Sequence, residues 1–443
     1  MPNPIIIKDR ITKFNKKITV SGDKSLSIRW VLFSSLANGV SKAKNLLISE
    51  DVLASINAIR KLGIKVKLTR KLCKVYGKGI DGYKYRKNLT INAENSGTLG
   101  RLILGLLINA SNPIKLIGDK SLSKRDFKRI SDPLSKFGAD FKLKNSKNLP
   151  LTILGSSNLK PIKYFEKKGS AQCKSAVIFG GMRTDGTTLI KAKKSRNHSE
   201  LLCKYLNLPI KIQSKNSYDV IKIKKVKKIK TLNYNIPSDI SSSAFFIVLT
   251  ALSKNSSLLI KNININPSRT GIITILKKMG VKIILKNKKI YKGEKNANIF
   301  IQSSKKLKSI NCPKEMNSRT IDEFLLIFLS CSMAKGVSRF KGIGELRHKE
   351  TDRLKFANNF LNRIGIKTKV TKDSLNIYGN PNLKLNKTYK IKNFDKDHRI
   401  CMMSIIAALT LEGKAKFIIH DLDSIKTSFP NLMTPPNVSA HEV

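Results

Sequence analysis

At 443 residues the chain is longer than one hydrophobic core usually serves, so two domains are expected. A hydrophobic fraction of 41% supports ordinary globular cores, and the longest apolar run, FLLIFLSCSMA, falls short of the ~18 residues of a membrane span, so no membrane partner is expected. The net charge of +57 raises nucleic acid as a ligand, but the lysines are spread over the whole chain among many asparagines and isoleucines, which marks a compositional bias. The densest basic run, VIKIKKVKKIK, alternates apolar residues with Lys as a solvated strand does, and it lacks interleaved aromatics for base stacking, so no nucleic-acid partner is expected either. The start, MPNPIIIKDR, has no signal-peptide layout. Cys73, Cys173, Cys203, Cys312, Cys331 and Cys401 form no C-x-x-C pair, so neither a zinc site nor a disulfide framework is indicated, and a reducing cytoplasm is the expected compartment.

One pattern recurs six times along the chain. SGDKSLSIRWVLFSSLANG starts at Ser21, NSGTLGRLILGLLINAS at Asn95, GSAQCKSAVIFGGMRTDG at Gly169, PSDISSSAFFIVLTALSKN at Pro237, SRTIDEFLLIFLSCSMAKG at Ser318 and FDKDHRICMMSIIAALTLEG at Phe394. Each places a polar cluster before a small-residue apolar helix, then a Gly or Asn before a short strand. Starts roughly 70 to 80 residues apart mark an internal structural repeat. A second motif alternates with the first: AIRKLGIKVKL, PLSKFGADFKL, ILKKMGVKIIL and FLNRIGIKTKV read as amphipathic helix, turn and strand. Gly63, Gly138, Gly280 and Gly365 act as the helix stop, and Leu208-Pro209 takes that place in the third copy, YLNLPIKI. The apolar helices are hydrophobic nearly all round, which predicts burial. Their polar N-termini, with unpaired N–H groups and partial positive charge, suit anions, and six such ends, if they converge, make an anion-binding cleft.

The clusters hold the chemistry. SGDKSLSIR offers Lys24, Ser25, Ser27 and Arg29 at a helix start, where a cap followed by a surface charge is the plain alternative. NSGTLGR places Gly97 where only backbone can approach a ligand closely, although alone it reads as a turn. GDKSLSKR supplies Arg125, GSAQCK supplies Ser170, Gln172 and Lys174, and SRNHSE supplies Ser195, Arg196 and His198, the last of these clusters being equally a simple helix cap. RTIDEF puts Asp322 and Glu323 at the mouth of an apolar helix, where an acid also serves as a dipole-matching cap. GIGELRHKETDR sets Glu350 beside Lys349, and Asp352 beside Arg353, which is either a solvated helix face or a site that holds anions around a proton-transferring acid. DKDHR gives His398 and Arg399 at the sixth helix start.

Taken in order, GDKSLSIR, NSGTLGR, GDKSLSKR, SAQCK, SRNHSE, SDISSSAFF, NPSRTG, DEF, ELRHKETDR, DHR and TSFP resemble the 3-phosphoshikimate 1-carboxyvinyltransferases (EPSP synthases) over nearly the whole chain, and within them the second class. The resemblance implies an α/β fold of two similar domains, each of three βαβαββ units with buried parallel helices, an inside-out α/β barrel arrangement. It implies one discontinuous domain of residues 1–22 and 236–443, another of 23–235, and an active site in the cleft between them. It also implies transfer of the enolpyruvyl group of phosphoenolpyruvate to the 5-hydroxyl of shikimate 3-phosphate, by addition and elimination through a tetrahedral intermediate, in aromatic amino acid and chorismate biosynthesis. Neither cofactor nor metal is called for, and a monomer is expected.

The roles come with the same resemblance. Lys24, Ser25, Arg29, Ser170, Gln172, Asp322 and Lys349 correspond to shikimate 3-phosphate contacts. Lys24, Gly97, Arg125, Gln172, Arg353 and Arg399 correspond to phosphoenolpyruvate contacts, with Ser195 and Arg196 as further candidates. Asp322, Glu350 and Lys24 correspond to the catalytic groups. The chemistry agrees: a carboxylate and a phosphate need bidentate arginines, and deprotonating a hydroxyl while protonating a methylene needs an acid and a base in one dry site. So many cations lining one cleft are expected to repel one another when no anion is bound. Asp126 stands where the family often has Pro, Ala171 where some members have Ser, and Lys426 is offset from the lysine that other members use, so no role is given to it. The sister enzyme acting on UDP-N-acetylglucosamine is the nearest alternative, but it relies on a cysteine in the loop that here reads GDKSLSKR. A basic RNA-binding protein is the alternative from another class.

Overall fold

A computed structural model describes residues 4–304 and 306–433; the tail TPPNVSAHEV lies outside them. The described residues form two compact units. One comprises Gly22–Ile236 with Tyr291–Glu294, and the other the chain up to Ser21, Pro237–Ile290 and from Lys295 onward. Below they are called the 22–236 unit and the C-terminal unit.

The 22–236 unit contains three four-stranded sheets of one design. In the second repeat, strand Leu89–Asn92 leads through helix Gly97–Leu106 into the parallel strand Ile114–Ile117. Helix Lys128–Ser135 then leads to the hairpin Asp140–Lys144 and Asn148–Leu154, whose second strand pairs antiparallel with Ile114–Ile117. The third repeat runs the same way from Lys163–Glu166 to Tyr218–Lys224. The first repeat takes its leading strand, Tyr234–Asn235, from the far end of the unit.

The C-terminal unit repeats the design. Its first sheet borrows the N-terminal strand Asn15–Thr19, parallel to Ser257–Asn264. In its last sheet Thr388–Ile391 and Lys416–Ile419 are parallel, and Ile5–Ile7 fills the antiparallel position that a hairpin strand fills elsewhere. The tip Tyr291–Glu294, which joins strands Ile283–Tyr291 and Glu294–Gln302, belongs to the 22–236 unit, although sequence reasoning left it in the other half.

The apolar helices are buried as their composition requires. Helix Lys24–Ser35 is buried from Leu26 to Ser35, and helix His398–Thr410 from His398 to Ala408. Their serines are tolerated because the hydroxyls bond back along the helix. Ser243 Oγ donates to Asp239 O (2.7 Å), Ser330 Oγ to Leu326 O (2.9 Å) and Ser404 Oγ to Ile400 O (2.8 Å), while Ser34 Oγ in helix Lys24–Ser35 is buried with no hydrogen-bond partner among the described residues. Strand Tyr218–Lys224 alternates as expected, with Ile221 and Ile223 inward and Lys222 and Lys224 in solvent.

The second helices end on left-handed residues: Gly63 (φ 84°), Gly138 (φ 117°), Gly280 (φ 96°) and Gly365 (φ 88°). In the third repeat the stop is Asn207 (φ 55°), one residue before the expected Leu208-Pro209. Asn207 N–H donates to Lys204 O and Leu208 N–H to Cys203 O, the same double closure that Gly63 and Ile64 make. Asparagine reaches the left-handed region with less penalty than other residues with a Cβ, and a Leu-Pro pair cannot supply it. Asn207→Gly is therefore expected to unfold within about 0.5 kcal/mol of the parent in urea titrations, whereas Asn207→Val is expected to cost about 1–2 kcal/mol.

Candidate functional site

In the 22–236 unit the polar clusters cap the buried helices. Asp23 accepts from Leu26 N–H, Ser96 from Leu99 N–H, and Ser170 from Cys173 N–H at 3.2 Å. Capping occupies one lone pair of Ser170 and leaves its O–H as a donor. Lys24 Nζ lies 3.0 Å from Asp51 Oδ2 across the first two helices. Ser25 is half-buried, and its carbonyl accepts from Arg29. The Arg29 guanidinium is buried, donating to Ser199 Oγ (2.9 Å) and Ser175 Oγ (3.2 Å).

Gly97, Arg125 and Gln172 come together through Arg101, a residue that sequence reasoning passed over. Arg101 Nη1 donates to Gln172 Oε1 (2.6 Å) and Gln172 Nε2 to Thr98 Oγ1 (3.0 Å), which fixes the amide. A Cβ on Gly97 would stand 2.9 Å from Arg101 Nη1 and 3.0 Å from Arg125 Nη1, so any side chain there displaces a guanidinium. Arg125 Nη2 also donates to Asn95 Oδ1 (3.3 Å). Lys174 is fully buried beside Glu200 (2.6 Å), and His198 Nδ1 beside Glu294 Oε1 (2.6 Å) in the 291–294 tip, so both are held in ion-pair or hydrogen-bond contacts of the interior. Ser195 and Arg196 are half-buried in the turn before helix His198–Tyr205, and Ser195 Oγ has no hydrogen-bond partner among the described residues.

In the C-terminal unit the acidic and basic residues interlock. Arg353 opens helix Arg353–Arg363, and its Nε donates to Asp397 Oδ2 (2.8 Å). Its Nη2 donates to Asp397 Oδ1 (3.1 Å) and to Glu350 Oε2 (2.7 Å). Its Nη1 is buried with no hydrogen-bond partner among the described residues, the nearest carboxylate being Asp322 Oδ1 at 3.7 Å. Burial works against the Arg353 charge, but Asp397 and Glu350, with Asp322, outweigh it and lift its pKa above the ordinary value. Arg399 Nη1 donates to Asp322 O (2.6 Å) and Nη2 to Ser241 Oγ (3.0 Å). Asp352, the other acid of KETDR, caps helix Arg353–Arg363 through Lys355 N–H and pairs with Arg347 (2.7 Å), which is structural work. Lys426 pairs with Asp423 on an exposed turn.

Sequence reasoning missed Asp397. It caps helix His398–Thr410 by accepting from Arg399 N–H (3.0 Å), and only its three-dimensional contact with Arg353 distinguishes it from an ordinary cap. Among the described residues Lys349, Arg353 and Arg399 stand amid five carboxylates, Asp322, Glu323, Glu345, Glu350 and Asp397. No group of three or more His, Cys, Asp or Glu side chains among the described residues is arranged to hold a metal ion, and no described helix is long and apolar enough to cross a membrane.

The backbone arrangement is shared with solved structures. The enolpyruvyl transferase NikO from Streptomyces tendae matches with a TM-score of 0.73 over 97% of this chain and 96% of its own, at 14% identity, so the fold is that of the enolpyruvyl transferases. EPSP synthase from Acinetobacter baumannii matches with a TM-score of 0.84 at 31% identity, covering 97% of both chains. The 3-phosphoshikimate 1-carboxyvinyltransferase of Petrotoga mobilis is 38% identical over 420 residues, 94% of this chain and 95% of that protein. The family model for EPSP synthase (3-phosphoshikimate 1-carboxyvinyltransferase) matches residues 8–434, and the chain belongs to this family.

Lys349 follows the short helix Gly344–His348 and is surrounded closely enough that burial lowers its pKa, against the pull of Asp322. An ammonium whose folded pKa lies below its unfolded pKa destabilises the fold at neutral pH, and that cost fades as pH rises toward the ordinary lysine value. Lys349→Met is therefore expected to raise the Tm at pH 7 and to lose much of that gain by about pH 10, as thermal unfolding at several pH values would register.

Proposed function

We infer that this protein transfers the enolpyruvyl group of phosphoenolpyruvate to the 5-hydroxyl of shikimate 3-phosphate. The hydroxyl oxygen bonds to C2 of phosphoenolpyruvate, the hydroxyl proton leaves to a base, and C3 gains a proton to become a methyl. The tetrahedral adduct then loses one proton of the C3 methyl and phosphate from C2, giving 5-enolpyruvylshikimate 3-phosphate. The observation that carries this reading within the family is Arg353: a buried guanidinium braced on one edge by Asp397 and Glu350, with Nη1 still to be satisfied. Such a fork suits a carboxylate or phosphate.

The roles follow from this reading. Lys24, Gly97, Arg125, Gln172, Arg353 and Arg399 take phosphoenolpyruvate; Lys24, Ser25, Arg29, Ser170, Gln172, Asp322 and Lys349 take shikimate 3-phosphate, with Ser195 and Arg196 as additional contacts. Gly97 leaves room beside Arg125, and the O–H of Ser170 is a donor for an anion. Asp322 acts as base toward the 5-hydroxyl. Glu350 and Lys24 are the candidates for moving the proton at the methylene. The loop before Arg125 carries no cysteine, which tells against the UDP-N-acetylglucosamine reaction. The six thiols are free and buried, in keeping with a reducing cytoplasm. We propose a monomer that acts on these small anions and takes no nucleic acid.

A phosphate-release assay with phosphoenolpyruvate and each candidate acceptor tests the activity; release with shikimate 3-phosphate and none with UDP-N-acetylglucosamine is expected. Glu350→Gln keeps the shape and a hydrogen-bond acceptor for Arg353 but removes the titratable group, so kcat is expected to fall by roughly 10²- to 10⁴-fold with far smaller changes in substrate binding. Arg353→Lys keeps the charge and loses the fork, so its chief effect is expected on the KM for phosphoenolpyruvate. Steady-state kinetics of the two variants separates these roles from those of a solvated salt bridge, whose loss costs at most about 1 kcal/mol of stability and leaves turnover alone.

A further inference from the structure

Asp322 and Glu323 are adjacent acids just before helix Phe324–Ser332, yet their side chains have different surroundings. Asp322 keeps a fifth of its surface in solvent, while Glu323 is 2% exposed. A helix cap would explain a buried acid here, but the Glu323 side chain accepts no hydrogen bond from the helix N-terminus. It accepts one instead from Ser241 Oγ, at the start of helix Ile240–Leu252 in another repeat. The same Ser241 oxygen accepts from Arg399 Nη2 (3.0 Å), and Glu323 Oε1 lies 3.6 Å from Arg399 Nη1. The proton count closes: the hydroxyl gives its single proton to Glu323 and takes one from Arg399. Three helix starts from three repeats therefore meet at one guanidinium.

We propose that Glu323, acting through Ser241, is a positioning residue for the phosphoenolpyruvate-binding Arg399. Its carboxylate fixes which way the Ser241 hydroxyl points. The hydroxyl in turn fixes the roll of the Arg399 fork, while Asp322 O holds the opposite nitrogen (2.6 Å). Two of the five guanidinium N–H donors are thereby committed to the protein, and the plane of the others is set before an anion arrives. This rests on the assignment of Arg399 to phosphoenolpyruvate.

The test is kinetic, on the full chain with both substrates. Glu323→Ala frees the hydroxyl and the guanidinium, so the KM for phosphoenolpyruvate is expected to rise roughly 10- to 100-fold, as for a lost hydrogen bond to a charged group, while the KM for shikimate 3-phosphate stays near that of the parent. Glu323→Gln still offers an oxygen to Ser241 and is expected to restore most of the affinity. Ser241→Ala is expected to reproduce the Glu323→Ala phenotype, and the double variant to be no worse than Glu323→Ala alone, because the bridge is one unit. A cap or a purely structural acid would instead lower Tm and leave the KM for phosphoenolpyruvate unchanged, which overturns the proposal. Should Glu323→Ala not fold, Ser241→Ala decides: an unchanged KM for phosphoenolpyruvate refutes the bridge. A parent protein without phosphate release removes the functional reading and this proposal together; a parent that turns over, with variants that bind normally, removes this proposal alone.

Discussion

Everything in the C-terminal unit's chemistry hangs on the ion pair between Arg353 and Asp397. Arg353 is buried at the start of one helix, and an unpaired guanidinium there would cost several kcal/mol. Asp397 supplies both oxygens to it and uses one of them again to cap the next buried helix. One carboxylate thus fixes the relation between two helix starts from different repeats. The edge of Arg353 that faces Asp397 is closed to any ligand, and only Nη1 is left in search of a partner. The direction in which this arginine can grip an anion is therefore decided by a residue that itself reads as a helix cap.

The same logic changes how the polar cluster is to be understood. Cations gathered for polyanionic substrates would repel one another if the substrates were their only counterions. Here Arg353 and Arg399 each lie against carboxylates of their own unit, so the proposed recognition rests on preorganised donors more than on surplus charge. The 22–236 unit reaches a comparable end differently. Arg29 donates to the hydroxyls of Ser175 and Ser199, Lys174 sits against Glu200, and Arg101 spans from the Gly97 carbonyl to the Gln172 amide. Hydroxyls and amides orient Arg29 and Arg101 without cancelling their charge, whereas Lys24 and Lys174 each stand beside a carboxylate, Asp51 and Glu200.

Much of the fold was legible because its causes are local. Small apolar helices with polar starts are expected to be buried, and Gly63, Gly138, Gly280 and Gly365 end helices because glycine reaches the left-handed region without a Cβ penalty. Asn207 escaped because asparagine is a weaker stop signal than glycine and a Pro stood nearby to distract from it. The 291–294 tip escaped because four residues leaving their own unit have no compositional mark; it takes Glu294 beside His198 to show where they belong. In the site, the charge pattern of KETDR left open a solvated face or an anion site around a proton-transferring acid; it set Asp352 beside Arg353, but the acid of this motif that contacts Arg353 is Glu350. Asp397, Arg101 and Ser241 were invisible for one shared reason. Each supports a neighbour distant in sequence, and nothing in a linear string separates a cap, a surface arginine or a buried serine from a brace.

The excess of lysine is a separate matter from the site. Lys222 and Lys224 alternate with buried Ile221 and Ile223, so they decorate the solvent face of a sheet. Charges of that kind are screened within ~8 Å at physiological ionic strength and contribute little to any single contact. Their sum still biases the surroundings of the molecule toward anions, which favours encounter with phosphorylated substrates without selecting among them. In the proposed roles, selection falls to the few arginines whose forks are held by named carboxylates and hydroxyls. A chain can thus drift far toward lysine on its surface and keep its chemistry, provided that the braces behind Arg353 and Arg399 are kept: the lysines act through a field that any anion feels, and the braces through angles that only the right anion fits.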